Sequence, residues 1–168
     1  MAEALSLELV DKGLVTEILV LTIGYDRTSL KQDRAYTGEI VHDSYGRAVP
    51  RHAHGTIHLG VKTASTRLIT EGAVRLYDRI IGPGLWVRRV CLTAERVDDE
   101  KKMRYEMDTL FDSPTGMTKE QSDRERRQQH AILHIQKRFG KNAVVKGRNL
   151  EEGATTRERN EQIGGHRA

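Results

Sequence analysis

Along this chain apolar positions recur at helical spacing, run continuously, or alternate with polar ones, and each mode predicts a different element. Residues 2–13 place Leu5 and Leu9 one turn apart with Gly13 positioned to end a helix. Leu14 to Ile23 (LVTEILVLTI) is β-branched and almost continuously apolar, which predicts a central strand covered on at least one face. The polar stretch that follows Gly24 is too long for a tight hairpin. It holds either a ragged β excursion near Thr37 to Val41 or a mobile loop. Residues 51–62 (RHAHGTIHLGVK) alternate: His52, His54, Thr56, His58 and Lys62 fall on one face, and Ala53, Ile57, Leu59 and Val61 on the other. A half-buried strand with a base-bearing face is expected there.

Thr63 or Ser65 is placed to cap a second helix, whose apolar face is Ile69, Ala73, Leu76, Tyr77 and Ile80. Gly82-Pro83-Gly84 stops it, and Leu85 to Val97 reads as a third strand lined on one side by Trp86, Val90, Leu92 and Ala94. Arg88 and Arg89 are adjacent, so a regular strand points them to opposite faces unless a bulge or the sheet edge frees both. Composition breaks at Asp98. Residues 98–117 form a charged linker, and Thr118 with Gln121 makes a capping-box pattern opening a helix over 118–140. Residues 141–168 are polar and glycine-bearing and lack the apolar mass to order themselves. The order helix, strand, strand, helix, strand over 1–97 predicts an α+β domain: a small, mostly antiparallel sheet with helices on one face and the other face free for a ligand.

Composition narrows the function. At 168 residues, with 37% apolar and 31% charged side chains, the chain suits one polar-surfaced domain plus an extension. Eight aromatic residues are too few for an extended base-stacking platform. The single cysteine excludes an intrachain disulfide and a cysteine-cluster metal site. Apolar runs are too short for a bilayer and residues 1–6 carry no leader pattern, so a cytoplasmic protein is expected. The net charge of +4 is uneven, at −1 over residues 1–100 and +5 over 101–168. From Ser44 to Thr70 no acid occurs, while Arg47, Arg51, Lys62 and Arg67 stand with three histidines. A polyanion is the indicated partner.

Several residue groups have chemistry to weigh. His52, His54 and His58 share a strand face, but His52 to His58 spans about 20 Å at ~3.3 Å per residue, too far for one ion. Asp98-Asp99-Glu100 follows a strand and suits Mg²⁺, but consecutive carboxylates in a solvated turn diverge. Cys91 is either a nucleophile without an identifiable base or, better, a small buried core residue. Arg88 and Arg89, with the base-rich face at 51–62, carry the strongest signal, because guanidinium forks match phosphate oxygens. Met107, Leu110 and Phe111 form an apolar island in the linker. They either dock in a partner's pocket or fold back on this chain's own core.

Taken together, LELVDKGLVTEILVLTIGYD, GTIHLGVKTASTRLI, LWVRRVCLTAERV, YEMDTLFDS and the stretch from Ala131 to the C-terminus resemble the C-terminal region of a Y-family (translesion) DNA polymerase of the UmuC/ImpB-MucB type. The resemblance covers nearly all the chain except the loop at 27–50. It implies a little-finger domain over residues 1–97, an α+β domain whose sheet lies against primer-template DNA in the major groove. DNA contacts are then expected from Arg51, His54, Thr56, His58, Lys62, Thr63, Thr66, Arg88 and Arg89. The island at 107–111 falls where family members carry a sliding-clamp peptide. Met107 stands in place of the usual Gln while Leu110 and Phe111 are kept, which implies weak clamp binding. Nothing in the chain resembles the palm with its catalytic carboxylates, the fingers or the thumb, so it is not expected to polymerise alone and no cofactor is called for.

The expected function is non-sequence-specific grip on duplex primer-template DNA in damage tolerance and repair, with the polymerase core and possible sliding clamp as partners. Two rivals remain: a protein-interaction module docking a replication partner through 107–111 and the long helix, and a small metal-dependent phosphodiesterase using His52, His54 and Asp98 or Asp99.

Overall fold

The computed structural model of the protein describes residues 1–31, 36–102, 118–163 and 166–167. Met107, Leu110 and Phe111 lie outside them. The chain divides into two compact units, Met1–Thr118 and Lys119–Ala168.

In the first unit, helix α1 (Ala2–Lys12) ends at Gly13, whose φ of 66° is the left-handed cap conformation that a side chain would disfavour. Strand β1 (Leu14–Tyr25) follows at once. A 3₁₀ turn (Arg27–Lys31) leads on to a small hairpin, β2 (Ile40–His42) against β3 (Ala48–Pro50). This hairpin is the ordered form of the polar stretch after Gly24. Its turn is closed by Asp43, whose carboxylate accepts from the backbone N–H of Tyr45 (2.9 Å) and Arg47 (3.0 Å). Strand β4 (Ala53–Thr63), helix α2 (Thr66–Ile80), strand β5 (Val87–Glu95) and the two-residue strand β6 (Asp98–Asp99) complete the unit.

The sheet order is β4-β1-β5, and both neighbours run antiparallel to β1. The fold is thus α+β, a small antiparallel sheet with helices. β6 extends the start of β1 by pairing Asp99 with Leu14 and Asp98 with Val15. Period-2 alternation sorts β1: Leu19, Leu21, Ile23 and Tyr25 are buried and turn to the helices. Leu21, Ile23, Tyr25 and Leu76 cluster with Ala53, Ile57, Ile80, Val90 and Leu92, which joins α2 to all three long strands. Burying each large side chain here stabilises by roughly 1.5–3 kcal/mol. Gly72 of α2 and Gly55 of β4 permit this close approach. A Cβ on Gly72 would lie 2.5 Å from Leu59, and one on Gly55 would lie 2.8 Å from Ile80. Ser65 caps α2 by accepting from the Leu68 N–H at 3.3 Å.

Two bulges interrupt the ladder. Between Thr16 and Ile18, β4 skips from Thr63 to His58, so β4 carries the extra residues, and Gly60 among them has a φ of 76°. The fully buried Thr16 hydroxyl ties β1 to β5 instead, donating to the Glu95 carbonyl at 2.6 Å and accepting from the Ile18 N–H at 3.2 Å. On the other side Gly24 pairs with Arg89 but Tyr25 with Val87, which leaves Arg88 as the extra residue of β5.

Two expectations for β5 are corrected. Trp86 is 63% exposed rather than part of the core side, because β5 begins at Val87 and the bulge at Arg88 breaks the alternation that put Trp86 in line with Val90. Cys91 is exposed rather than buried. It lies between Val90 and Leu92, which take the helix side, so a regular strand turns it to the opposite face.

In the second unit, helix α3 (Lys119–Phe139) is followed by two 3₁₀ turns (Lys141–Ala143 and Gly147–Leu150), helix α4 (Thr156–Asn160) and a minimal hairpin, β7 (Gln162–Ile163) with β8 (His166–Arg167). Polar side chains join these pieces. Asn142 donates to the Arg157 carbonyl and the Glu161 carboxylate, each at 3.2 Å, and accepts from the Asn160 amide at 2.8 Å.

Candidate nucleic-acid interface

The face of the sheet opposite α2 carries His54, Thr56 and His58 of β4 and Arg89 of β5. On β4, His54, Thr56 and His58 are exposed on this side, opposite Thr22, Val20 and Ile18 of β1. On β5, Arg89, Cys91, Thr93 and Glu95 are exposed on it, opposite Gly24, Thr22, Val20 and Ile18. Thr22 therefore has His54 on one flank and Cys91 on the other. Its hydroxyl shares a 3.0 Å hydrogen bond with His54 Nδ1, which fixes the imidazole plane against the sheet.

Arg88 and Arg89 are both exposed. In an unbroken strand one would have faced the helix layer, and the bulge removes that constraint. Gly24 pairs with Arg89 across the ladder, and a Cβ there would make ordinary contact with the Arg89 Cβ at 3.5 Å. The arginine end of the face also holds an acid. Asp26 has its carboxyl held below the usual range, first by the Thr28 N–H and hydroxyl, at 2.8 and 2.7 Å, and then by the nearby Arg88 and Arg27 charges. A solvated phosphate competing for Arg88 meets that carboxylate, so the patch is basic but not uniformly so.

Of the nine expected DNA contacts, five lie on exposed strand surface: His54, Thr56, His58, Arg88 and Arg89. The other four are engaged within the chain. Arg51 pairs with Glu39, and Lys62 with Asp98 at 2.9 Å. Lys62 follows the Gly60 bulge, which breaks the alternation that aligned it with His58. Thr63 Oγ1 accepts from the Ser65 N–H at 2.9 Å at the start of α2. Thr66 shares a 2.7 Å hydrogen bond with Ser6, between α2 and α1. The backbone carbonyl of Thr56 accepts from Arg79, which ties β4 to α2 while leaving the Thr56 side chain outward.

Sequence reasoning missed Trp86 as a surface residue. Its backbone N–H donates to the Ser29 hydroxyl at 2.9 Å and its carbonyl accepts from the Asp26 N–H at 2.8 Å, so the backbone is pinned two residues before Arg88. The neighbouring Pro83 and Gly84, which end the preceding connection, are the only signal that pointed to a solvated entry into β5.

The metal-site groupings are not brought together. His54 lies opposite Thr22 and Asp98 opposite Val15, seven residues apart on β1, which is about 23 Å at ~3.3 Å per residue. Among the described residues no group of three or more His, Cys, Asp or Glu side chains could hold a metal ion. Asp98 and Asp99 sit in a strand pairing rather than a turn, Asp98 facing Lys62 and Asp99 accepting from the Lys101 N–H at 2.8 Å. Among the described residues no helix is long and apolar enough to cross a membrane. Comparison with protein families, with curated proteins and with solved structures gives no match.

Proposed function

We propose that the sheet unit grips duplex DNA through the sheet face opposite α2 without reading sequence, as a little-finger domain of a translesion polymerase does. The observation that carries this reading is the exposure of both Arg88 and Arg89 at a bulge, on a sheet whose outer face also presents His54, Thr56 and His58. Guanidinium groups on a rigid strand can engage phosphates with little loss of side-chain freedom beyond their own, and phosphate contacts position a protein without specifying bases. The element order and the sequence resemblance support the little-finger assignment. The polymerase core and, through Met107, Leu110 and Phe111, the sliding clamp are its proposed partners.

The test is duplex binding by fluorescence anisotropy over a salt series with several unrelated sequences. Affinity is expected to fall linearly in log–log form with salt. Arg88→Ala with Arg89→Ala is expected to flatten the slope by about 1.8, at ~0.9 for each phosphate no longer neutralised, equally for all sequences. Absence of duplex binding, or an affinity indifferent to salt, overturns the proposal. A loss confined to one sequence would mean base readout instead.

A further inference from the structure

β5 ends the sheet. Its inner edge pairs with β1 from Val87 to Glu95, and among the described residues no strand pairs with its outer edge. An edge of this length offers a row of unpaired N–H and C=O groups, and proteins blunt such edges with proline, lysine or a central bulge. From Arg89 to Glu95 β5 has none of these. On the helix side, Leu21 of β1 with Val90 and Leu92 of β5 floors an apolar groove walled by Val74 and Tyr77 of α2 and by Met1 and Ala2 at the start of α1, with Val74 53% exposed.

The charges on the other side of the strand select an occupant. Arg89 and Glu95 are both exposed there and lie six residues apart, about 20 Å, too far to pair within one chain. Two copies of β5 related by a two-fold axis normal to the sheet run antiparallel, and each choice of central residue fixes every cross-strand pair. Centring on Cys91 sets Arg89 against Thr93 and Glu95 against Val87. Centring on Val90 sets Arg89 against Cys91. Centring on Leu92 alone sets Arg89 of each copy against Glu95 of the other, twice over. That register also sets Leu92 against Leu92 and Val90 against Ala94, so the apolar side continues across the axis.

We propose that the chain forms a two-fold homodimer by antiparallel pairing of β5 with β5 of a second copy, centred on Leu92, so that the two sheets become one. Pairing ends at Arg89, and Arg88, lifted out of the ladder by the bulge, stays clear of the junction. The proposal does not rest on DNA binding, but the two share Arg89: in the dimer it faces Glu95 of the other copy, and Arg88 is the arginine left clear for phosphate.

The experiment is sedimentation equilibrium of the full chain at about 100 μM, a concentration suited to the weak affinity of a small interface. The expected mass is twice 19.0 kDa. Arg89→Glu and Glu95→Arg, each placing like charges opposite one another twice, are each expected to weaken dimerisation by at least about tenfold. The double variant restores it by reversing both pairs. Circular dichroism of each variant, both residues being exposed, verifies that the fold is kept. Register is read by oxidative cross-linking: Cys91→Ser with Leu92→Cys is expected to form a linked dimer readily, and the wild-type Cys91 not. A monomer at this concentration, a dimer indifferent to both charge reversals, failure of the double variant to restore pairing, or ready Cys91 cross-linking would each overturn the proposal.

Discussion

In the unit from Met1 to Thr118, α1, α2 and the three long strands lay apolar side chains on a common core, whereas in the unit from Lys119 to Ala168 polar side chains do the joining. Among the described residues every buried apolar side chain lies between Leu7 and Leu76. The 21-residue α3 buries one residue, Gln129. The difference matters for function because a rigid platform needs a packed core under it. The exposed arginines of β5 stand on strands whose other face is close-packed, so their positions are set by the same layer that stabilises the fold. Helix α3, charged along its first half, has the half-buried Ile132, Leu133 and Gln136 beside Gln129 to set against that layer.

The largest expected effect breaks the packed half of this comparison. Leu76 is fully buried and joins α2 to β1. Leu76→Ala is expected to destabilise the first unit by about 2–5 kcal/mol through lost burial and the cavity left behind. Thermal melting followed by near-ultraviolet and far-ultraviolet circular dichroism would read it. Amide exchange in residues 141–163 should be unchanged, because that network is made by Asn142, Arg157, Asn160 and Glu161 of the second unit. A loss below about 1 kcal/mol would mean that the α2 layer is not what holds the sheet.

A smaller effect tests the polar half. Asn142→Ala removes the donor to Arg157 and Glu161 and the acceptor for Asn160. These bonds are exposed or partly so, and their joint loss is expected to cost the second unit about 1–2 kcal/mol. Hydrogen exchange over residues 156–163 should accelerate while Leu19 and Ile23 keep their protection. Equal acceleration in both halves would show that they unfold as one.

The contrast also explains what the sequence made legible. Strand β1, the face of α2 and the cap at Gly13 are written in apolar period and glycine placement, and they appear where those signals put them. The exposure of Trp86 and the diversion of Lys62 were not legible, and both trace to a bulge or strand start that displaces an alternation by one residue or more, whereas the exposure of Cys91 follows from the unbroken alternation of Val90 and Leu92 around it. A period-2 pattern predicts faces only while the register is unbroken. The same limit applies to the candidate site. His54, Thr56 and His58 share a face because β4 is regular there, while the joint exposure of Arg88 and Arg89 depends on a bulge that no residue type announces. The short elements after Gly140 were illegible for another reason: hydrogen bonds among Asn142, Arg157, Asn160 and Glu161 leave no periodic trace.

The smallest effect sharpens the comparison at the β2–β3 hairpin, a piece of the first unit that is held by polar contacts as the second unit is. Asp43 lies 2.7 Å from the Arg47 guanidinium, and this side-chain bond, with the Arg47 backbone N–H, lowers its carboxyl from 3.8 to about 2. A carboxyl whose folded value is depressed contributes stability that is present above its unfolded value and is lost as pH falls through the folded one. The hairpin is therefore expected to loosen between about pH 4 and pH 2, while the apolar core beneath it, which contains no titrating partner for Leu21 or Ile23, is not directly affected. Carboxyl carbon shifts would place the Asp43 midpoint near 2, and Arg47→Ala should return it toward 3.8. A wild-type midpoint already near 3.8 would mean the Arg47 side-chain contact is too solvated to hold the turn, and the hairpin would then owe its order to its backbone pairs and to the bonds of Asp43 with the Tyr45 and Arg47 N–H groups.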